Sequence, residues 1–387
     1  MKSLELFTGA GGLALGTHAV GFEHAGLVEW NADACLTLLS NVRENTVIGI
    51  DRWRVHQADI RKFDFTPYKK DNIDLIAGGV PCQPFSIGGK GQGMDDDRDM
   101  FPQFVRAVRT LQPRAFIIEN VKGLLRRHFA AYFNYIELQL QHPDVTAKND
   151  EDWPKHRERL EKHHTKGTEK GLGYNVIWRL LNAADYGVPQ RRERVFIVGF
   201  RKDSGIEFAF PEATHSKAAL EHAQGSGAYW KRHGIKARDL APASAKTDGL
   251  LPWVTIRDAI RDLPAPKSND PTASPDHRLN PGAKAYPGHT GSDIDLPSKT
   301  LKAGVHGVPG GENMIAMPDG TVRYLTVREA ARVQSFPDSW YFAGAWSEAM
   351  RQLGNAVPMK LAQVVAGGVA TRLEKKTDDK GRGVQPA

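Results

Sequence analysis

Short runs of apolar residues recur along the first 200 positions, and glycine or acidic residues bound most of them. Runs of this kind are typical of strands that are buried on both faces of a sheet. The six clearest predicted strands are Leu4–Phe7, Ala25–Trp30, Ile73–Val80, Ala115–Val121, Asn175–Leu181 and Val195–Phe200. Apolar residues at helical spacing lie between them, as in Ala32–Asn41 and Phe101–Leu111. This alternation predicts an α/β fold in which an open, mostly parallel sheet carries helices on both faces.

Later stretches break this alternation. Phe129–Lys170 is polar and charged, which predicts a helical insertion that stands off the sheet. Proline, glycine and serine become frequent through Pro211–Pro297, which predicts a second, irregular domain. Regular patterning returns in Val322–Phe336 and in Trp346–Leu373, and the second of these predicts a helix that packs back on the first domain. The charged, glycine-bearing tail Glu374–Ala387 predicts disorder.

Composition narrows the class of protein. Of the 387 residues, 40% are hydrophobic and 25% are charged, so most of the chain can bury a core. A formal charge of +7 favours a polyanionic partner such as nucleic acid without identifying one. No apolar run approaches the length of a membrane span, and the two cysteines, Cys35 and Cys82, provide neither a disulfide framework nor a zinc site. We therefore expect a soluble, cytoplasmic protein that holds no metal and binds no membrane.

A glycine-rich loop follows the first predicted strand and opens a helix. The eight residues from Phe7 to Ala14 fit the pattern G-x-G-x-x-G/A, and Glu29 lies at the end of the next strand. Together these features predict a nucleoside cofactor, although they do not separate a nicotinamide from S-adenosylmethionine, and a tight turn without a ligand is the alternative. Trp30 could stack on an adenine or belong to the core. Asp59 could accept a hydrogen bond from the adenine amino group or act as a helix cap.

A cysteine follows a predicted strand directly. Ile73–Val80 delivers Cys82 to the carboxyl edge of the sheet, and the prolines on either side would hold the thiol rigidly. This position suits a nucleophile, whereas Cys35 lies in an apolar stretch and suits an ordinary core residue. The glycine-rich stretch Ser86–Gly93 that follows predicts a mobile lid over a bound substrate.

Two further strand ends bring charged groups to the same edge. Glu119 follows the strand at 114–118, and the alternate residues Arg192 and Arg194 lead into the strand at 195–200, where they would point to one face. Each could also be a cap, a salt-bridge partner or a solvated charge. Together, a thiol, a carboxyl group and a guanidinium are what attack on C6 of a pyrimidine requires, namely a nucleophile, a proton donor for N3 and a positive group at O2.

The motifs FTGAGG, VEWN, the pair Asp59-Ile60, PCQPFS, ENV, YGVPQRRER and LGNAVP occur in the order typical of one family. In this respect the chain resembles bacterial-type DNA (cytosine-5)-methyltransferases over most of Met1–Phe200 and Tyr324–Leu373. The resemblance implies a Rossmann-like S-adenosylmethionine-dependent methyltransferase domain at 1–201 and 346–387. It also implies a target-recognition domain at 202–345, with a family framework segment at 322–340.

The resemblance also assigns individual residues. The S-adenosylmethionine site that it implies comprises Phe7, Gly9, Ala10, Gly11, Gly12, Leu13, Glu29, Trp30, Asp59, Ile60, Pro81, Asn355 and Ala356. Cys82 corresponds to the nucleophile, Glu119 to the group on N3 and the exocyclic amine, and Arg194 to the contact with cytosine O2. Arg192 matches a second arginine that supports Cys82 and the DNA backbone. The implied reaction methylates C5 of a cytosine flipped out of double-stranded DNA, without a metal.

The resemblance further predicts partners and leaves alternatives. We expect a monomer that serves as the modification enzyme of a restriction-modification system, with a cognate endonuclease as a possible partner. Base-reading residues are expected in 204–251 or 265–296, where charge alone suggests His233, Lys231, Arg232, His277 and Arg278. The alternatives are an RNA cytosine-5 methyltransferase of the same lineage, a nicotinamide oxidoreductase, and a catalytically silent DNA-binding relative.

Overall fold

The computed structural model describes residues 1–81, 99–167, 171–240, 246–268, 274–303 and 313–382. Seven strands of these described ranges form the main sheet. In chain order they are β1 (Lys2–Leu6), β2 (Glu23–Glu29), β3 (Val55–Gln57), β4 (Leu75–Gly79), β5 (Ala115–Val121), β6 (Tyr174–Asn182) and β7 (Glu193–Arg201). Their spatial order is β3-β2-β1-β4-β5-β7-β6. The first five are parallel, whereas β7 runs antiparallel to β5 and β6.

Helices cover both faces of this sheet. The α-helices of the described ranges are α1 (Gly12–His18), α2 (Ala32–Glu44), α3 (Phe101–Leu111), α4 (Ala130–Gln141), α5 (Trp153–Lys166), α6 (Lys217–Gly225), α7 (Ala228–His233), α8 (Ile256–Ile260), α9 (Val327–Val333), α10 (Trp346–Asn355) and α11 (Met359–Arg382). Alternate strand residues point to opposite faces. Ile76 and Phe116 therefore pack with α3 and α4, whereas Leu75 and Ile117 pack with α1 and α11. The predicted open α/β sheet is confirmed.

The polar stretch at 129–170 differs from the prediction. It forms α4 and α5, but α4 packs against the sheet, because Tyr132, Ile136 and Leu140 are buried in the core beside β5 and β6. Leu160 of α5 is buried in the same core. The expectation of an insertion that stands off the sheet was therefore wrong. Seven of the twelve residues of α4 are buried, whereas α5 buries only His156 and Leu160 and leaves its lysine, arginine and glutamate residues at least partly exposed.

The C-terminal segment forms two helices where one was predicted. Pro358 separates α10 from α11, because proline cannot continue the helix that precedes it. Leu361, Val365 and Val369, spaced four residues apart, are buried against α1 and the sheet, so the predicted packing on the first domain is confirmed. Helix α11 continues through Arg382, and the predicted disorder from Glu374 was wrong up to that residue. Residues 383–387 lie outside the described ranges.

The second unit has little regular structure, as the sequence predicts. Its short strands are β8 (His215–Ser216), β9 (Leu251–Pro252), β10 (Ser292–Asp293), β11 (Met314–Ala316) and β12 (Val322–Tyr324). A buried polar network holds it together: the enclosed Asp295 carboxylate accepts from Arg238 at 2.6 Å, Arg257 at 2.5 Å and the Tyr229 hydroxyl at 2.9 Å. In the described parts of the chain, no helix is long and apolar enough to cross a membrane.

The segment between this unit and α11 shares a core with the sheet. Residues of α9 and α10, together with Trp340, pack on α1 and α2, and the Trp340 indole nitrogen donates to the carbonyl oxygen of Ala10 at 3.2 Å. The two units predicted from the sequence are thus joined by continuous apolar packing at this face. The boundaries at 201/202 and 345/346 stay predictions.

The packing of α11 on α1 predicts opposite effects of two glycine substitutions. A Cβ at Gly16 would lie 2.5 Å from Ala362 Cβ and 2.7 Å from Gln363 N, so Gly16→Ala should lower the free energy of unfolding by about 1–3 kcal/mol. A Cβ at Gly367 of α11 would meet only Val20, at 3.6 Å. Gly367→Ala should leave stability unchanged or raise it by up to about 1 kcal/mol, because alanine favours helix. Urea unfolding of both variants measures the difference, and equal stabilities would contradict the close helix contact.

Candidate active site

The candidate site lies along one edge of the main sheet. Strands β1 to β5 are parallel, so their last residues meet at this edge, and β7 brings its first residues there because it runs in the opposite direction. The spatial order places the ends of β3, β2 and β1 on one side and the ends of β4, β5 and β7 on the other. The glycine turn, Glu29 and Asp59 therefore lie in one half of this edge, and Glu119 and Arg194 lie in the other.

The turn after β1 depends on its glycines. Phe7, Gly9 and Gly11 all have a left-handed backbone, with φ of 56°, 56° and 93°. A side chain at Gly12 would place Cβ 2.1 Å from the carbonyl oxygen of Val357, so only glycine allows α1 to start this close to the chain that precedes α11. The loop thereby turns its backbone toward the open edge, as a cofactor loop requires.

Two predicted cofactor residues of this loop have buried side chains. Ala10 packs with α2 and Trp340, and Leu13 packs with α11 and the sheet. Both side chains belong to the core, so these residues can meet a ligand only through their backbone.

Glu29 is fixed by the backbone on both sides. Its Oε2 accepts a hydrogen bond from the amide of Gly9 at 2.7 Å, and its Oε1 accepts one from the amide of Asn31 at 2.7 Å. Each oxygen keeps a lone pair for a further donor, such as a ribose hydroxyl. Trp30, beside it, is 64% exposed and presents a large apolar surface at the edge.

Asp59 is a cap, one of the two roles that its sequence position allows, and its contact with an adenine stays a prediction. It caps a short 3-10 turn by accepting from the amide of Arg61, and it forms an ion pair with the Arg61 guanidinium at 2.7 Å. The hydrogen bond from Arg61 lowers the pKa of Asp59, so its carboxyl group is an acceptor. The Arg61 guanidinium carbon lies 5.9 Å from the centre of the Trp30 ring, which brings the two residues together. Ile60 is buried in the core.

The C-terminal part of the predicted cofactor site reaches this edge through α10. Asn355, the last residue of α10, is exposed, and Ala356 is buried beside it. Arg351 of the same helix donates to the side-chain oxygen of Asn31 at 3.1 Å. Residues more than 300 positions apart in the sequence thus meet at Asn31, close to Glu29.

Strand β4 leads to the predicted nucleophile. Pro81 is partly exposed at the edge, while Cys82 and the predicted lid Ser86–Gly93 lie outside the described residues. The side-chain amide of Asn120 donates to the carbonyl oxygen of Val80 at 3.2 Å and so anchors the chain just before Cys82.

Cys35 is buried in α2, as its apolar surroundings predict. Burial and the nearby charge of Glu29 raise the pKa of its thiol to about 12. Because the thiolate is the reactive form, Cys35 is a poor nucleophile at neutral pH.

Glu119 and Arg194 form an ion pair at the ends of β5 and β7. Arg194 Nε lies 2.8 Å from Glu119 Oε1, and Glu119 is only 7% exposed. The other carboxyl oxygen faces Gly79, where a Cβ would lie 3.5 Å away, so the glycine leaves this side of the carboxyl group open. Burial raises the pKa of Glu119, and the positive charges of Arg194 and Arg192 offset part of that increase. A carboxyl group in this state can hold a proton and donate it.

Arg192 differs from the expectation. It is 1% exposed, and its guanidinium donates to the carbonyl oxygens of Leu301 at 3.1 Å and Gly354 at 2.7 Å. The expected contact with a DNA backbone is absent from this arrangement, because protein encloses the guanidinium. Arg192 and Arg194 thus have different surroundings, although they alternate along one chain.

Two of the suggested base readers have enclosed imidazole rings, although His233 as a whole residue is only partly buried. The imidazole of His233 bonds to Asp258 at 3.0 Å, and that of His277 bonds to the Thr326 hydroxyl and to the carbonyl oxygen of Pro264. Both belong to the internal structure of the second unit and cannot read bases in this arrangement. Arg232 is exposed but pairs with Asp258 at 2.7 Å, and Lys231 and Arg278 are exposed.

Sequence reasoning missed several polar residues that shape the site. Asn120 and Gln190 lie inside the motifs ENV and QRRER, so their positions were visible but their partners were not. Gln334 lies on no predicted site, yet its side chain bonds to that of Gln190 at 3.0 Å. These residues act through contacts between distant parts of the chain, which spacing alone does not show.

The similarity of this chain to known proteins extends over almost its whole length. A family model described as C-5 cytosine-specific DNA methylase matches residues 1–145 and 149–370. The Type II methyltransferase M.NgoMIV of Neisseria gonorrhoeae is 33% identical over 97% of this chain and 98% of its own length. The Type II methyltransferase M.Eco47II of Escherichia coli is 32% identical over 96% of this chain and 79% of its own length.

A solved structure supports the fold. A protein described as a DNA modification methyltransferase encoded within an E. coli prophage matches with a TM-score of 0.59. The match is 22% identical in sequence and covers 97% of this chain and 99% of that one. At this identity, the likeness concerns the arrangement of strands and helices alone.

The buried carboxyl group of Glu119 predicts a pH dependence of stability. Because its pKa is higher in the folded chain than in the unfolded one, the folded state holds the proton more tightly, and stability is lost as pH rises above the ordinary value of 4.5. Glu119→Gln cannot ionise, so its stability relative to the wild type should increase between pH 4.5 and pH 7.5 in urea unfolding experiments.

Glu158 provides a control of opposite sign. A hydrogen bond from Lys162 lowers its pKa, so Glu158→Gln should lose stability relative to the wild type as pH rises from 3 to 5. A flat or inverted profile for Glu119→Gln would mean that the carboxyl group is not held in a desolvated site.

Proposed function

The chain belongs to the C-5 cytosine-specific DNA methylase family and is a DNA (cytosine-5)-methyltransferase, and we propose that the sheet edge is its active site. The observation that carries this proposal is the buried pair of Glu119 and Arg194, which lies beside the end of β4 where Cys82 follows. A proton-holding carboxyl group, a guanidinium and a cysteine beside a nucleoside-binding loop match the needs of attack on a cytosine ring.

The residues around the glycine loop fit S-adenosylmethionine as the methyl donor. Glu29 keeps free lone pairs for ribose hydroxyls, Trp30 offers an exposed ring for the adenine, and the left-handed turn at Gly9 and Gly11 brings the backbone close. We assign the remaining cofactor residues to this site from the family resemblance. When bound, S-adenosylmethionine would supply an electrophilic methyl group.

The protein residues would then act on the cytosine ring. The Cys82 thiolate attacks C6 and forms a C–S bond, and the ring electrons displaced by this bond move to N3. Glu119 donates a proton to N3 and is left as a carboxylate. The Arg194 guanidinium stabilises the partial negative charge on O2. C5 thereby becomes nucleophilic and would take the methyl group, leaving the demethylated cofactor. Loss of the C5 proton to water then supplies the electron pair that expels Cys82 as a thiolate, and N3 returns its proton to the Glu119 carboxylate.

Access to C6 requires a cytosine outside the base stack. Rotation of a nucleotide out of the duplex costs a few kcal/mol, which contacts of the protein with the DNA must offset. We propose that residues 202–345 form the target-recognition domain that supplies these contacts and reads the sequence. Because the named relatives M.NgoMIV and M.Eco47II are Type II methyltransferases, we also propose that this chain protects DNA against a cognate endonuclease. The same relatives favour DNA over the RNA alternative.

The cofactor assignment predicts a specific loss of affinity. Trp30→Ala should weaken binding of S-adenosylhomocysteine roughly 5- to 150-fold in calorimetry, because stacking on a base contributes about 1–3 kcal/mol. Trp178→Ala is the matched control, since Trp178 is 41% exposed on β6, at the far end of the sheet. Equal affinities of the wild type and Trp30→Ala, or selective binding of a nicotinamide dinucleotide, would refute the assignment.

The nucleophile assignment predicts a covalent complex. In a duplex whose target cytosine is replaced by 5-fluorocytosine, attack and methyl transfer proceed, but fluorine cannot leave as a proton does. The wild-type protein should therefore form an adduct, in the presence of S-adenosylmethionine, that survives denaturing electrophoresis. Peptide mass spectrometry should locate it on Cys82.

Two cysteine variants control this experiment. Cys82→Ser should abolish the adduct, because a hydroxyl ionises far less readily than a thiol. Cys35→Ser should form it in undiminished yield, since burial keeps that thiol protonated. An adduct that persists in Cys82→Ser would identify another nucleophile.

A further inference from the structure

The surroundings of Arg192 point to a role apart from contact with the substrate. Its guanidinium joins two segments of the chain by donating to the carbonyl oxygens of Leu301 and Gly354. Both acceptors are neutral and buried, and hydrogen bonds from a charged donor are stronger than those between neutral groups. Arg192 thus connects the segment around Leu301, in the proposed recognition domain, to the end of α10, in the proposed cofactor site.

Gln190 also binds the backbone of Leu301. Its Oε1 accepts from the backbone amide of Leu301 at 2.9 Å, so Gln190 and Arg192 together bind both backbone polar groups of that residue. The backbone of Ser298 extends this contact, because its amide donates to Pro189 and its carbonyl oxygen accepts from Arg191. The segment from Ser298 to Leu301 therefore lies along the chain that leads into β7.

Gln334 makes the corresponding contacts with the other segment. Its side-chain nitrogen donates to the carbonyl oxygens of Leu353 at 2.5 Å and Ala356 at 3.3 Å, and its oxygen accepts from Gln190 Nε2 at 3.0 Å. Gln190, Arg192 and Gln334, which we call the carbonyl bridge, thereby form one connected and buried group.

The two bridged segments also touch directly. A Cβ at Gly354 would lie 2.4 Å from Ala303 N and 2.7 Å from the carbonyl oxygen of Lys302. Gly354 precedes Asn355 and Ala356 of the proposed cofactor site, and Arg192 lies two residues before Arg194 of the proposed catalytic pair. A shift of either segment would therefore displace residues of both the proposed cofactor site and the proposed catalytic pair, because close-packed backbones cannot move independently.

We propose that Arg192 is a positioning residue that couples cofactor binding to DNA binding through the carbonyl bridge. Binding of S-adenosylmethionine restricts the motion of the segment 353–357. The hydrogen bonds of the bridge then restrict the motion of residues 298–302 and of Arg194 as well. The second ligand then meets a site that is already arranged, so each ligand binds more tightly in the presence of the other. The proposal rests on the proposed function.

A linkage experiment tests the coupling. Calorimetry gives the affinity for S-adenosylhomocysteine without DNA and with a saturating duplex, whose site is first mapped by bisulfite sequencing in a host that expresses the chain. We expect wild-type protein to bind S-adenosylhomocysteine roughly 5- to 150-fold more tightly with the duplex, the usual range for coupled sites. In Arg192→Lys this ratio should fall toward one, because an ammonium group cannot span both carbonyl oxygens.

Two further variants make the result decisive. Arg191→Lys is the matched control, because the Arg191 side chain is exposed, and it should keep the wild-type ratio. Gln334→Met removes the contacts with Leu353 and Ala356 without burying a charge, and it should lower the ratio even if Arg192→Lys does not fold. A wild-type ratio near one, or a full ratio in both bridge variants, would overturn the inference. Failure of the wild type to bind S-adenosylhomocysteine at all would instead refute the proposed function.

Discussion

Hydrogen bonding between the strands of the main sheet determines where most of the proposed functional groups of this protein lie. Parallel pairing of β1 with β2 and β4, and of β4 with β5, brings the last residues of these strands to one edge. Antiparallel pairing of β7 with β5 adds Arg194 at the same edge. Arg194 lies opposite Val121, which is two residues along β5 from Glu119. Backbone pairing brings these strand ends together whatever side chains they carry, so residues of different chemistry can lie side by side at the edge. A change of one position in the register would turn Glu119 to the other face of the sheet.

Burial of charge is the second constraint at this edge. A buried ion pair contributes little stability by itself, because removal of both charges from water costs about as much as their attraction returns. The pairing of Glu119 with Arg194 is therefore better explained by function: it keeps a carboxyl group of raised pKa and a guanidinium side by side. The buried guanidinium of Arg192 is stabilised in a different way, because it donates hydrogen bonds to neutral carbonyl oxygens and not to a carboxylate. Two arginines separated by one residue thus have different physical roles.

The second unit shows how a region with few regular elements can hold a defined shape. Its strands are two or three residues long, so backbone ladders contribute little. The buried carboxylate of Asp295, with two arginines and a tyrosine hydroxyl, joins segments that are distant in sequence. The two histidines that charge alone suggested for base reading, His233 and His277, also make internal hydrogen bonds, to Asp258 and to Thr326. Such a scaffold leaves the surface loops free to vary, as the proposed target-recognition role of this unit requires.

The sequence by itself determined the alternation of strands and helices, the glycine turn with Glu29, and the placement of Glu119 at a strand end, because periodicity and local backbone preference act over a few residues. Family motifs extended this to the set of proposed site residues and to the class of reaction. The tertiary structure alone decided that α4 packs on the sheet, that Arg192 is enclosed, and that Gln334 bonds to Gln190. Those outcomes depend on which distant surfaces meet, and the burial of a polar side chain follows from its partners, which no local pattern specifies.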